Sequence, residues 1–355
     1  MYFTSSAIIV AISVAATRVA ATPFKFPLPD GFPNPNPAQL AKIEKEAGGP
    51  LPDGPLPTVL KSTGVTTLQL LALNEIFEVA YFTEFLANVT NDVHGYDAKA
   101  IAPLSKKYVI DALTAVVNQE QLHAAGVNGI LKSGNQSAIE PCEYQFPVTN
   151  FTQAVVLAQT FTDIVLGTLP EAQAAFAADA GDESPLIQLF GGVLAQEGEQ
   201  VGFYRFVQKK TPSAAPYLTG GSPSFAFTAI QSFIVPGSCP QPLSDINLTT
   251  FGPLTVVTTP EAKNQTLEFA VPGAVSPAAN SIVYLTGANV PLTVAISNVT
   301  TVAGKSHFMA SFPFESGFAN GLTIAALVKG ADQIYKTNDA VAAATLYGPG
   351  LIEVD

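Results

Sequence analysis

Four stretches of the chain carry residues at alternating spacings of four and three, the repeat that lays a set of side chains along one face of an α-helix. They read Leu71, Glu75, Glu78, Phe82, Phe85; then Val109, Leu113, Val116, Glu120, His123, Val127, Ile130; then Phe151, Val155, Ala158, Thr162, Val165, Leu169; then Leu186, Phe190, Val193, Glu197, Gln200, Tyr204, Val207. Four helices with one apolar stripe each bury those stripes most simply as an antiparallel four-helix bundle. Three of the stripes are interrupted near their middle by acids, and none carries Lys or Arg. A carboxylate on a buried helix face costs several kcal/mol unless it is protonated or a cation sits beside it. The middle of the bundle is therefore where chemistry is expected.

The remainder of the 355 residues bounds the setting. Apolar residues make up 48% and charged ones 12%, enough for a large core, and the net charge of −12 comes without any basic cluster. Nucleic acid and anionic membrane surfaces are poor partners for such a chain. Residues 1–21 have a short apolar run, Ala7 to Ala16, followed by Val19-Ala20-Ala21, the pattern of a cleaved signal peptide. Asn-x-Ser/Thr sequons at Asn88, Asn135, Asn150, Asn247, Asn264 and Asn298 fit a secreted glycoprotein. The two cysteines, Cys142 and Cys239, are expected to form a disulfide in an oxidising compartment, the alternative being two buried thiols. The C-terminal residues 348–355 do not form a hydrophobic tail, so a lipid anchor is not expected, and the apolar run near the amino terminus is too short for a transmembrane anchor.

Residues 22–60 are dense in proline and read as an extended arm, with a short helix over Ala38–Ala47, that either tethers or wraps the body. The bundle is expected over 61–210. Its helices run from about Thr67 (capped by Thr66 or Thr67) to Val89, from Pro103 to Leu131, from Phe151 to Gly167–Pro170, and from a Ser184-Pro185 start to just before Thr211. Residues 211–245 read as a Pro/Gly-rich linker lying over the bundle. From 246 to 355 the pattern changes to short β-branched and aromatic runs at 254–257, 267–271, 282–285, 292–296, 307–314 and 322–328, separated by turn signals; this is the pattern of a small antiparallel β-sandwich. The expected class is α+β multidomain, a helical bundle followed by a sandwich.

The second helix carries Glu120-x-x-His123, the pair from which di-iron and di-manganese carboxylate bundles are built. The fourth offers Glu197-x-x-Gln200 and the first Glu75 and Glu78, so the candidate metal set is Glu75, Glu78, Glu120, His123, Glu197 and Gln200, with iron or manganese as the candidate ion. Thr162 stands where the third helix would supply a carboxylate, Asp163 is its nearest replacement, and Tyr81 and Tyr204 are placed to reach the acidic layer. His94 is read as a surface residue and His307 as a structural one in a strand. No Gly-x-Ser-x-Gly elbow or glycine-rich phosphate loop is present.

The run Leu73-Asn74-Glu75-Ile76-Phe77-Glu78-Val79-Ala80-Tyr81-Phe82, together with Glu120-x-x-His123, resembles the ferritin-like domain of secreted fungal stress and sexual-development proteins, a family similar to plant desiccation-related proteins. Residues 161–169, 196–205 and 233–240 resemble the fungal branch. The resemblance implies a ferritin-like four-helix bundle whose metal ligands would be Glu75 or Glu78, Glu120, His123 and Glu197, with Thr162 and Gln200 departing from the full di-metal pattern. It carries two functional expectations: a metal-binding protein with, if an enzyme, oxidase-like activity, or a metal-free scaffold at the cell surface. Cell-wall association and self-association belong to the second; polysaccharide binding by the β region is a third possibility, from which the absence of Trp removes the commonest sugar platform.

Overall fold

A computed structural model describes residues 22–179, 183–316 and 320–355. The expected signal segment, 1–21, lies outside the described residues. The arm wraps the body. Phe24 bridges to Tyr144, and Phe32 and Leu28 are buried in the bundle core. Helix α1, Pro37–Ala47, starts at a capping box in which Asn36 accepts from the Ala38 and Gln39 amides and the Gln39 side chain answers the Asn36 amide. The arm then runs along the second long helix, where glycines admit its leucines: a methyl at Gly126 would meet Leu51, and one at Gly134 would clash with Leu60.

Helices α2 (Ser62–Thr90), α4 (Lys106–Ser133), α5 (Phe151–Asp179) and α6 (Ser184–Val207) form the bundle, with a four-residue helix α3 (Ala98–Ile101) between the first two. α2 packs on α4, α5 on α6, and α2 against α5. α2 is buried on nearly every side from Leu70 to Phe82, and Phe77, Tyr81 and Phe82 lock edge-on into an aromatic cluster with Phe146 and Phe161, against which Phe233 packs at a tilt. Burying each such ring contributes roughly 1.5–3 kcal/mol.

Several boundaries differ from the sequence expectation. α2 begins at Ser62, not at Thr67. Its start has no cap from its own neighbours; the Lys61 amide instead donates to Glu183, which precedes α6. Gly64 leaves the room for that carboxylate, since a Cβ there would collide with it. α4 starts after Ser105, whose hydroxyl caps Tyr108, so Pro103 lies outside it. The residue preceding α6 as its cap is Glu183, and Ser184 is already helical. α5 continues through Pro170 to Asp179. Ala172 and Phe176 are core residues beyond the expected stop, and their burial outweighs the roughly 3 kcal/mol that an internal proline costs.

The segment expected as a bare linker contains α7, Pro223–Gln231, which buries Phe225, Phe227 and Ile230. Cys142 and Cys239 are joined in a disulfide, stapling the end of this segment to the connection before α5. The β region has strands β1 (Thr255–Val256), β2 (Gln265–Val271), β3 (Asn280–Thr286), β4 (Leu292–Val302), β5 (Lys305–Phe312), β6 (Gly321–Lys329) and β7 (Thr345–Val354), all pairs antiparallel, in the order β1-β2-β5-β4-β3-β6-β7. The first residues of β4, up to Ala295, pair with β3 and those from Ile296 on with β5, the latter pairing carrying a bulge between Ser297 and Thr300. The sheet thus folds over on itself, enclosing Leu267, Phe269, Tyr284, Phe308 and Leu327 in a sandwich core. β3 and β6 are buried on both faces because α7, helix α8 (Asn338–Ala344) and Ile164 of α5 cover the outer one. β7 and α8 were not expected from the sequence: Gly348-Pro349-Gly350 breaks the apolar alternation of the strand. Among the described residues no helix is long and apolar enough to cross a membrane.

Candidate metal centre

The three interrupted stripes, on α2, α4 and α6, converge. Glu75, Glu78, Glu120 and Glu197 are fully buried, and His123 has 15% of its side chain exposed. Among the described residues, Glu75, Glu120, His123 and Glu197 each bring one ligand atom to within 4.8 Å of the others. His123 Nδ1 lies 2.9 Å from Glu120 Oε2 and 3.3 Å from Glu75 Oε2. The i, i+3 spacing on α4 puts the Glu120 carboxylate and the imidazole side by side.

Each acid has a different surrounding. Burial pushes Glu120 up, but the charge of His123 and the hydrogen bonds from His123 and Gln200 more than offset it, so Glu120 is held below the usual carboxylate range. Gln200 Nε2 donates to Glu120 Oε1 at 2.5 Å, and Tyr204 donates to Gln200 Oε1 at 3.1 Å. Burial pushes Glu75 up to about 7 despite His123. Burial, then the neighbouring carboxylates, push Glu78 and Glu197 well above the usual range. His123 is driven well above 6.5, because Glu120 and Glu75 outweigh its own burial. In the absence of a cation, a proton between His123 and Glu120 holds the layer together and protons remain on the other acids.

That arrangement leaves polar atoms without partners. Glu75 Oε1, both oxygens of Glu197 and Glu78 Oε2 are buried and make no hydrogen bond, and Glu75 Oε2 has only His123 Nδ1 at 3.3 Å. Buried polar atoms are usually satisfied, and several orphaned oxygens facing one another are what a cation would resolve. Three carboxylates and an imidazole are a donor set suited to a divalent transition ion. The residues present fit a metal.

The other sequence candidates are placed as follows. Glu78 lies at the edge of the layer, with Asn74 Nδ2 donating to its Oε1 at 3.1 Å. Asn74 was not singled out in the sequence, although its i, i+4 spacing to Glu78 was the available signal. Gln200 is engaged by Glu120. Thr162 is buried and its hydroxyl makes no hydrogen bond. Tyr204 joins the layer through Gln200, whereas Tyr81 donates to the Ala154 carbonyl and belongs to the aromatic core. Asp163 does not take the place of the missing carboxylate. It sits in a separate cluster with Gln159 and Glu353. His94 is exposed, and His307 Nδ1 pairs with Glu268 at 2.7 Å in the sheet.

One comparison with known proteins is positive. Residues 63–210 match the family model of the ferritin-like domain, a span covering α2 through α6 with its end just beyond α6. No curated protein matches the chain.

Proposed function

We propose that the ferritin-like domain formed by residues 63–210 binds a divalent transition metal, iron or manganese, through Glu75, Glu120, His123 and Glu197. The observation that carries this reading is the set of buried carboxylate oxygens, Glu75 Oε1 and both of Glu197, that no donor of the chain satisfies. Such an ion would supply Lewis acidity and one-electron redox capacity to the site. The chain's own part is to prepare the ligands. Gln200, held by Tyr204, orients Glu120, His123 and then Gln200 keep it anionic, and the proton on His123 Nδ1 and those on Glu75 and Glu197 leave when the site is filled. Glu78, steadied by Asn74, stands beside these ligands as a further carboxylate.

Export supports a wider reading. The disulfide suits an oxidising compartment, the amino-terminal pattern suits a secretory signal, and none of the six sequon asparagines is buried, so the chain reads as a secreted glycoprotein, including at the cell wall. A role in stress response or development, and a fungal source, rest on the resemblance of residues 65–240 alone. Domain limits of 61–210 for the bundle and 246–355 for the sandwich follow the same reading. The second reading is a scaffold with no metal. What favours it is Thr162 in place of a fourth carboxylate and Gln200 committed to Glu120 rather than free to ligate.

The two readings separate on metal content. Protein secreted under metal-replete conditions should carry about one metal per chain, with Glu120→Ala and His123→Ala retaining almost none. A wild-type value below roughly 0.2 per chain would establish the scaffold reading instead.

A further inference from the structure

A cavity of about 400 Å³ opens beside the candidate metal centre, with Glu75 and His123 on its floor. One wall is α4, the opposite wall is α6, and the arm residues Ala47–Pro52 close the side between them. The arm is fixed there. Gln119 donates to the Ala47 carbonyl at 3.3 Å, Gln196 of α6 donates to Gln119 at 2.9 Å, and Leu51 packs over Gly126.

The lining determines what can enter. Beyond Glu75 and His123 it holds no charged residue, and its walls are aliphatic and aromatic, led by Leu51, Leu122, Ile130, Leu189, Phe190 and Val193. A route for hydrated ions would be lined with acids or amides along its length. An anion would meet the Glu75 side of the layer without any Lys or Arg to receive it. Gln196, at the wall, has a buried Oε1 with no hydrogen-bond partner, an acceptor suited to one donor. The volume falls within the range of about 300–1,000 Å³ found for small-molecule sites, which pair apolar walls with a few polar groups.

We infer that this cavity seats a neutral, mostly apolar organic molecule with one hydroxyl-type end, its polar end at Glu75 and His123 and its body against the apolar walls under the arm. The inference rests on the metal-binding reading of the floor and names the class of molecule that floor would act on. Selectivity would come from the arm, which narrows the mouth without adding charge.

The probe for the test is 4-fluorobenzyl alcohol, followed by ¹⁹F NMR on desalted, Mn²⁺-loaded full-length protein, with Zn²⁺-loaded protein as the diamagnetic control. Two variants fill the cavity from α6. Val193→Trp enlarges a wall residue, and Gly192→Leu adds a side chain where a Cβ meets nothing within 4 Å and where leucine suits a helix better than glycine. The expected result is strong Mn²⁺-dependent broadening in the wild type, absent with Zn²⁺, and reduced roughly tenfold or more in at least one variant with its Mn²⁺ content unchanged. Bound Mn²⁺ with no broadening in the wild type, or equal broadening in both variants, would overturn the inference and leave the metal reading intact. Failure of the wild type to retain Mn²⁺ would remove the metal reading, and the inference with it.

Discussion

The chain buries two clusters of acids and resolves them in opposite ways. In the bundle, Glu75, Glu78, Glu120 and Glu197 have one basic group among the described residues, His123, and most of the oxygens outside Glu120 lack donors. Where α5 and α6 meet β7, Asp163, Glu353 and Asp355 surround Arg205 and Lys210. Arg205 reaches Asp355 at 2.5 Å, Lys210 reaches it at 2.7 Å, and Gln159 donates to both Asp163 and Glu353. Burial pushes Asp163 up to about 6 and Glu353 well above the usual range, as in the bundle. Raised acids therefore do not mark a metal site by themselves. What distinguishes the bundle is the missing cation, and the second cluster shows that this chain supplies its own where the role is to hold the bundle to the β region.

The sharpest break in the comparison comes from Arg205. Arg205→Ala strips the second cluster of its buried cation, leaves Asp355 short of a partner, and should destabilise the protein by about 3–5 kcal/mol in chemical denaturation. If the loss is under about 1 kcal/mol, the cluster is not held by its cation. The bundle should respond differently. Glu197→Gln should change the stability of metal-free protein by less than about 1 kcal/mol, because Glu197 is already protonated there, yet abolish the stabilisation by metal, about 2.7 kcal/mol at one hundred times Kd. A thermal-shift series with and without manganese separates the two.

The third prediction concerns pH. Asp163 binds its proton more tightly in the folded chain, at about 6, than at its ordinary value of 3.8. Between those values the folded state holds the extra proton, so stability falls as pH rises, by on the order of 3 kcal/mol. Asp163→Asn should flatten that slope in urea titrations across the same window; an unchanged slope would show that another group sets it. The smallest effect belongs to Tyr204→Phe, which removes one hydrogen bond to Gln200 and should cost about 1 kcal/mol while loosening metal retention.

Much of the bundle was legible because helical periodicity is a local signal: the stripes around Glu75, Glu120 and Glu197 follow from spacing alone. The strands from β2 to β6 were legible for the same reason. The rest depends on partners distant in sequence. Nothing near Thr67 shows that α2 starts five residues earlier, because the group that caps it is Glu183. Pro170 is a stop signal that core burial overrides. β7 is hidden by its own Gly-Pro-Gly, and with it the placement of Glu353 and Asp355 beside Arg205. Asp163 read as a reserve ligand because, although Gln159 is only four positions away, the rest of its cluster is distant, as the Gln159 to Glu353 separation of 194 shows.

The central claim is that the bundle's acids lack a cation that a metal supplies. An anomalous difference map from a crystal of manganese-loaded protein tests it in one step. The predicted result is a single strong peak enclosed by Glu75, Glu120, His123 and Glu197. A map from fully loaded crystals with no peak among these four, or with its only peak at the Asp163 and Glu353 cluster, would contradict the account.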